Sequence, residues 1–98
     1  MNINKSVNGT ELTMAIVGRL DTVTAPEFEA ELKASIDGVK TLILDLSELE
    51  YTSSAGLRTF LIAQKTMNKQ GKMIVKNVNE SVMEVFDITG MADFMTFE

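Results

Sequence analysis

The sequence predicts an α/β fold in one small domain: a β-hairpin followed by alternating helices and strands, forming a sheet of mixed direction packed by helices. Three observations predict it. An Asn8-Gly9 pair lies between two apolar-rich segments near the N-terminus. Helical spacing of apolar residues then recurs in separate stretches. Short apolar runs, Leu42-Ile43-Leu44 and Met73-Ile74-Val75, lie between those stretches. A chain of 98 residues has room for one core. At this size it buries roughly two-thirds of its unfolded surface, enough for stability without disulfides or a metal. Residues 1–98 are therefore expected to form a single domain.

Residues 2–7 and 12–18 flank Asn8-Gly9, whose tolerance of positive φ marks a tight hairpin. Leu12, Met14 and Ile16 alternate with Thr13, Ala15 and Val17, which predicts a strand buried largely on both faces. Thr24-Ala25-Pro26-Glu27 reads as a capping box with proline where no donor is needed, and Val23 and Phe28 occupy staple positions. Phe28, Leu32 and Ile36 then recur every four residues until Asp37-Gly38 stops the helix. Val39–Leu46 is expected to be a central parallel strand. Ser53 or Ser54 caps a second helix, with Leu57, Phe60, Leu61 and Met67 on one face and Gly71 ending it. Met73–Val75 is a further strand. Asn79 or Ser81 opens a short third helix through Val82, Val85 and Phe86 to Gly90, and Phe94–Phe97 reads as a closing strand.

Composition excludes several functions. Nine Lys and Arg against fourteen Asp and Glu give a formal charge of -5, opposite to what phosphate neutralisation requires, so nucleic acid is not an expected partner. The chain has no cysteine, histidine or tryptophan, which removes a thiolate nucleophile, an imidazole base and a cysteine or histidine zinc site. No G-x-S-x-G elbow, P-loop or G-x-G-x-x-G motif is present. Asp21, Asp45, Glu48 and Glu50 are the acids that could approach one another, but carboxylates at strand ends are ordinarily solvated or cap loop amides, so no metal or cofactor is expected. The three glutamates Glu27, Glu29 and Glu31 read as a solvated flank, and Met83, Met91 and Met95 as adaptable core. Met1–Lys5 has no apolar stretch behind it, and the apolar runs are strand-sized, so neither a signal peptide nor membrane insertion is expected and the cytoplasm is the default location.

The segment Tyr51-Thr52-Ser53-Ser54-Ala55-Gly56-Leu57-Arg58 lies between a strand and a helix, where its hydroxyls should be exposed. Here the chain resembles the STAS domain of bacterial anti-sigma factor antagonists. Gly18-Arg19-Leu20-Asp21 with Thr24-Ala25 is similar to the family's G-x-L-D…TA block. Leu44-Asp45-Leu46-Ser47 followed by Tyr51–Leu57 is similar to its DLS…DSSGL block, and Val85-Phe86-Asp87-Ile88-Thr89-Gly90-Met91 to its LFD-x-SGL helix.

The resemblance implies a STAS fold over the whole chain and a non-enzymatic role in partner switching. An antagonist of this kind binds an anti-sigma factor that is also a serine kinase, is released when that kinase phosphorylates it, and is reset by a PP2C-type phosphatase. The family's acceptor serine lies two residues before the glycine, which corresponds to Ser54. The candidate partner-binding surface around that serine comprises Asp21, Thr22, Ser53, Ser54, Ala55, Gly56, Arg58 and Ile62. Ser53 stands where many members have Asp, Ala55 where they have a second Ser or Thr, and Arg58 where Gly is common. Two other readings stay open: a regulator of a non-sigma target, and a constitutive STAS subunit, for example of a lipid-transport ATPase complex, in which Ser54 is only a helix cap contributing about 1 kcal/mol. By spacing alone, Arg58 lies one turn after Ser54, and Ile62 extends that stripe on the polar side of the helix. Asp21 is expected to border the same surface or to cap its own loop.

Overall fold

The computed structural model describes residues Met1–Glu98. The N-terminal hairpin pairs β1 (Asn2–Asn8) antiparallel with β2 (Glu11–Leu20) in a register that sets Asn8 opposite Glu11. The two loop residues are thus Gly9 and Thr10, one place later than the sequence suggested. Gly9 alone has positive φ, at 62°, which a turn of type II′ requires at its first position.

From β2 the chain continues through α1 (Ala25–Ser35), β3 (Thr41–Asp45), β4 (Leu49–Thr52), α2 (Ser54–Gln70), β5 (Lys72–Lys76) and α3 (Glu80–Ile88), ending in a 3₁₀ turn at Met91–Phe94. The sheet runs β1-β2-β3-β5, with β3 parallel to both β2 and β5. The short strand β4 was not legible in the sequence. It pairs with the far half of β2, so one long strand receives two consecutive partners. Between the Ala15–Asp45 and Leu20–Thr52 pairs the register slips by two residues, at an irregularity beside Gly18. That slip absorbs the Leu46–Glu48 turn, where Asp45 Oδ1 accepts from the Ser47 N–H at 3.0 Å.

Even-numbered residues of the central strands, Leu12, Met14, Ile16, Leu42 and Leu44, face the helices and belong to one cluster of 22 buried apolar residues. The opposite face, with Thr13, Ala15, Val17 and Ile43, is only half-buried; the expected double burial of β2 does not occur, because all three helices contribute to the same side. Each helix supplies one ring to a row across that side. Phe28 meets Phe60 at 5.3 Å and Phe60 meets Phe86 at 5.3 Å, both edge to face. Such pairs add about 0.5–1.5 kcal/mol beyond their buried area. Gln70 closes the base of α2 by donating to the carbonyls of Ile36 (2.9 Å) and Val39 (2.7 Å).

Two local expectations fail for identifiable reasons. Val23 is 85% exposed while Phe28 is fully buried, so no staple forms, because the turn before α1 directs Val23 outward. The closing strand shrinks to one bridge between Val75 and Phe97; the positive φ of Gly90 leads instead into the 3₁₀ turn that buries Met91. No helix is long and apolar enough to cross a membrane.

Candidate functional site

Two chain segments, ending β2 and β4, meet at one corner of the sheet. The Ser53 N–H donates to the Leu20 carbonyl at 2.8 Å, which sets the start of α2 beside the start of α1. On the α1 side, Asp21 organises the turn. Its Oδ1 accepts from the backbone N–H groups of Val23 and Thr24, each at 3.0 Å. The Thr24 hydroxyl accepts from the Asp21 N–H at 2.9 Å and donates to the Arg19 carbonyl at 2.7 Å. Thr24 is therefore spent on the turn and does not cap α1 with its side chain, contrary to the capping box. The Thr24 N–H above all, with the Val23 N–H and the Thr24 hydroxyl, holds the Asp21 carboxyl below the usual carboxylate range. This is the loop-capping role, and it engages the carboxylate with its own turn while leaving Thr22 exposed.

On the α2 side, Ser53 is the N-cap residue with extended backbone, and Ser54 is the first helical residue. Their hydroxyls differ sharply. Ser54 is exposed, whereas Ser53 Oγ is buried and has no hydrogen-bond partner. The expectation that both are accessible is corrected by this geometry. Gly56 is buried, and a Cβ there would overlap Thr52 Oγ1 and lie 3.0 Å from Leu20 Cβ. It belongs to the packing that seats α2 on the sheet corner rather than to the outer surface.

Between the first turns of α1 and α2 lies a cleft of about 160 Å³ lined by Thr22, Ala25, Pro26, Glu29, Ala55, Arg58 and Thr59. Of the sequence-derived site residues, Thr22, Ala55 and Arg58 come together here, with Ser54 at the adjoining exposed helix start. Ile62 lies two turns further along α2 and is half-buried, not on an open polar face. Glu29, Thr59 and Pro26 are cleft residues that sequence reasoning missed, because only the packing of α1 against α2 assembles them. Arg19 stacks over Tyr51, its guanidinium carbon 4.4 Å from the ring centroid, a pairing visible only once β2 and β4 are neighbours.

The α2 side of this corner can accept an anion, while Glu29 lines the α1 side. The first turn of α2 carries no acidic side chain, so its free N–H groups and dipole have no built-in counter-charge. Arg58 is exposed, and the ion pairs of the domain, Lys5–Glu31, Lys33–Glu29 and Lys76–Glu98, do not include it. No three acidic side chains are grouped to hold a metal ion; Asp45 accepts from Ser47 N–H and from Asn77 Nδ2 instead.

Comparison with known proteins agrees with this architecture. The chain is 38% identical over 81 residues to BtrV of Bordetella bronchiseptica, provisionally named an anti-sigma factor antagonist, covering 81% of this chain and 70% of that protein. It is 32% identical over 98 residues to the anti-sigma-B factor antagonist of Bacillus subtilis, covering 97% and 90%. The fold matches the anti-sigma factor antagonist SpoIIAA in its unphosphorylated form with a TM-score of 0.84 at 20% identity, over 99% of this chain and 88% of that one. It matches the Bacillus cell fate determinant SpoIIAA in the phosphorylated form with a TM-score of 0.77 at 20% identity, over 99% and 91%. The family model described as the STAS domain matches residues 2–98, and the chain belongs to the STAS domain family.

Proposed function

We propose that this domain is an anti-sigma factor antagonist working by partner switching in the cytoplasm. In its unphosphorylated form it binds an anti-sigma factor that is also a serine kinase. Phosphorylation of Ser54 by that kinase ends the complex, and a PP2C-type phosphatase restores it. The domain itself is ligand and substrate, not catalyst. The observation that carries the reading is the exposed Ser54 hydroxyl at the first position of α2, in a chain whose relatives are named as antagonists.

Chemistry supports a surface switch. A phosphoryl group adds roughly -1.5 to -2 charges at a helix N-terminus with no competing carboxylate in its first turn, so the fold accommodates it. At a docked interface the same charge and bulk are misplaced; each 1.4 kcal/mol lost is about tenfold in affinity. Thr22, Ala55 and Arg58 around the cleft, with Ser54 beside them, form the contact surface, while Asp21 and Gly56 hold it in shape.

Intact mass after incubation with ATP and the cognate kinase tests the reading. One added phosphate, absent in Ser54→Ala, is expected, together with kinase binding by Ser54→Ala and its loss in Ser54→Asp. Equal binding by wild type and both variants would overturn the switch and favour a constitutive subunit.

A further inference from the structure

Helix α2 contains Arg58, Lys65 and Lys69 and no carboxylate. Its neighbours are the reverse: α1 carries Glu27, Glu29 and Glu31 against Lys33, and α3 carries Glu80, Glu84 and Asp87 with no basic residue. In a chain of net charge -5, the outer face of α2 is therefore a basic stripe, and none of its three cations takes part in the domain's ion pairs.

The stripe borders an apolar groove of about 440 Å³ where α2 meets the 3₁₀ turn, lined by Leu61, Gln64, Lys65, Asn68 and Phe94. Phe94 is a large ring left 49% exposed. Gln64 is 6% exposed; its Nε2 donates to Asn68 Oδ1 at 2.8 Å, but its Oε1 is buried without a donor. The groove therefore sets an apolar wall, Leu61 and Phe94, beside the Lys65 cation.

We propose that this face of α2 is a second docking surface, which takes an acidic helical segment of a partner protein with one bulky apolar side chain inserted between Leu61 and Phe94. The segment's carboxylates face Lys65, Lys69 and, at the upper end, Arg58. The arrangement is that of an amphipathic helix laid in a groove, with charges fixing its direction. The assignment rests on the partner-switching reading only for which protein supplies the segment, because the stripe starts one turn below Ser54.

The test uses a blocked helical peptide of about fifteen residues bearing glutamates and a single phenylalanine, titrated into the ¹⁵N-labelled domain. Amide shifts concentrated at Leu61, Gln64, Lys65, Asn68 and the Met91–Phe94 turn are expected, with affinity falling at least about fivefold between roughly 50 and 500 mM salt. The doubly substituted Lys65→Glu/Lys69→Glu domain should lose binding, and Phe94→Ala should weaken it by about tenfold, both while keeping a cooperative thermal transition and a dispersed amide spectrum. The peptide with lysines for its glutamates should not bind. Equal binding of the lysine peptide, shifts located elsewhere, or occupation of this face by a second copy of the domain would overturn the proposal. Peptide binding is read in Ser54→Ala, so failure here leaves the Ser54 switch intact, and failure of Ser54 phosphorylation leaves this surface intact.

Discussion

Phosphoserine at position 54 should stabilise the free domain. The group enters the first turn of α2, where four backbone N–H groups lack intrahelical acceptors and no acidic side chain is present. An anion in that position contributes about 0.3–1 kcal/mol through the helix dipole. Arg58, four residues on and exposed, adds about 0.2–0.5 kcal/mol as an i,i+4 pair. Together the gain is about 0.5–1.5 kcal/mol, or a rise of about 2–12 °C in Tm for a domain of this size. The phosphate's second ionisation near pH 6 makes the gain larger at pH 7.5 than at pH 5.5. The assay is differential scanning calorimetry on protein carrying phosphoserine at 54, on unmodified protein and on Arg58→Ala versions of both, at two salt concentrations. The expected pattern is a higher midpoint on phosphorylation, reduced in Arg58→Ala and by salt. A midpoint several degrees lower would show that phosphate disturbs α2, and release of a partner would then follow from local unfolding rather than from a changed surface.

Three further perturbations have distinct signatures. Gly56→Ala should destabilise by about 1 kcal/mol despite the better helix propensity of alanine, because overpacking against Thr52 and Leu20 costs about 1–3 kcal/mol and propensity returns about 1; urea denaturation checks it, and a more stable variant would mean that the corner yields freely. Asn79→Ala removes both the cap to the Val82 N–H and the bond from Nδ2 to the Leu49 carbonyl, so a loss of about 1–3 kcal/mol is expected, with faster amide exchange across β4 and the first turn of α3. The Asp21 carboxyl, lowered by the Thr24 and Val23 amides, contributes stability that is present above its unfolded pKa of about 3.9 and is lost as pH falls through the depressed folded value. The amide shifts of Val23 and Thr24 should accordingly titrate with a midpoint below 3.9, and a midpoint at or above it would contradict the turn geometry.

Much of the fold was legible because local signals agreed with long-range packing. Phe28, Leu32 and Ile36 marked the buried stripe of α1, Gly71 stopped α2, and Asn79 capped α3 as its position suggested. The failures share a different cause. Leu49-Glu50-Tyr51-Thr52 becomes a strand only because β2 is long enough to offer a second partner, which no short window of sequence reveals. Thr24 had the residue type of a cap, but its hydroxyl is engaged by the Asp21 turn and the Arg19 carbonyl instead. At the candidate site, the serine segment stood out by its place between a strand and a helix. Which serine is accessible did not: the one-residue difference between an N-cap turned into the protein and a first helical residue turned out of it was fixed by the bond from Ser53 N–H to Leu20.

That bond joins residues 33 positions apart in sequence, and it has a consequence for when Ser54 can be read. A nascent or excised peptide spanning Tyr51 to Ile62 contains the hydroxyl but neither the Thr22 wall nor the β2 end that orients it. Non-local pairing forms late relative to helices, so the proposed kinase, if it reads the assembled corner, is expected to act on finished domains and to pass over chains still folding. The same arrangement couples the corner to the sheet beneath it: loosening β2 at Gly18 would disturb the bond that orients Ser54 without touching Ser54 itself.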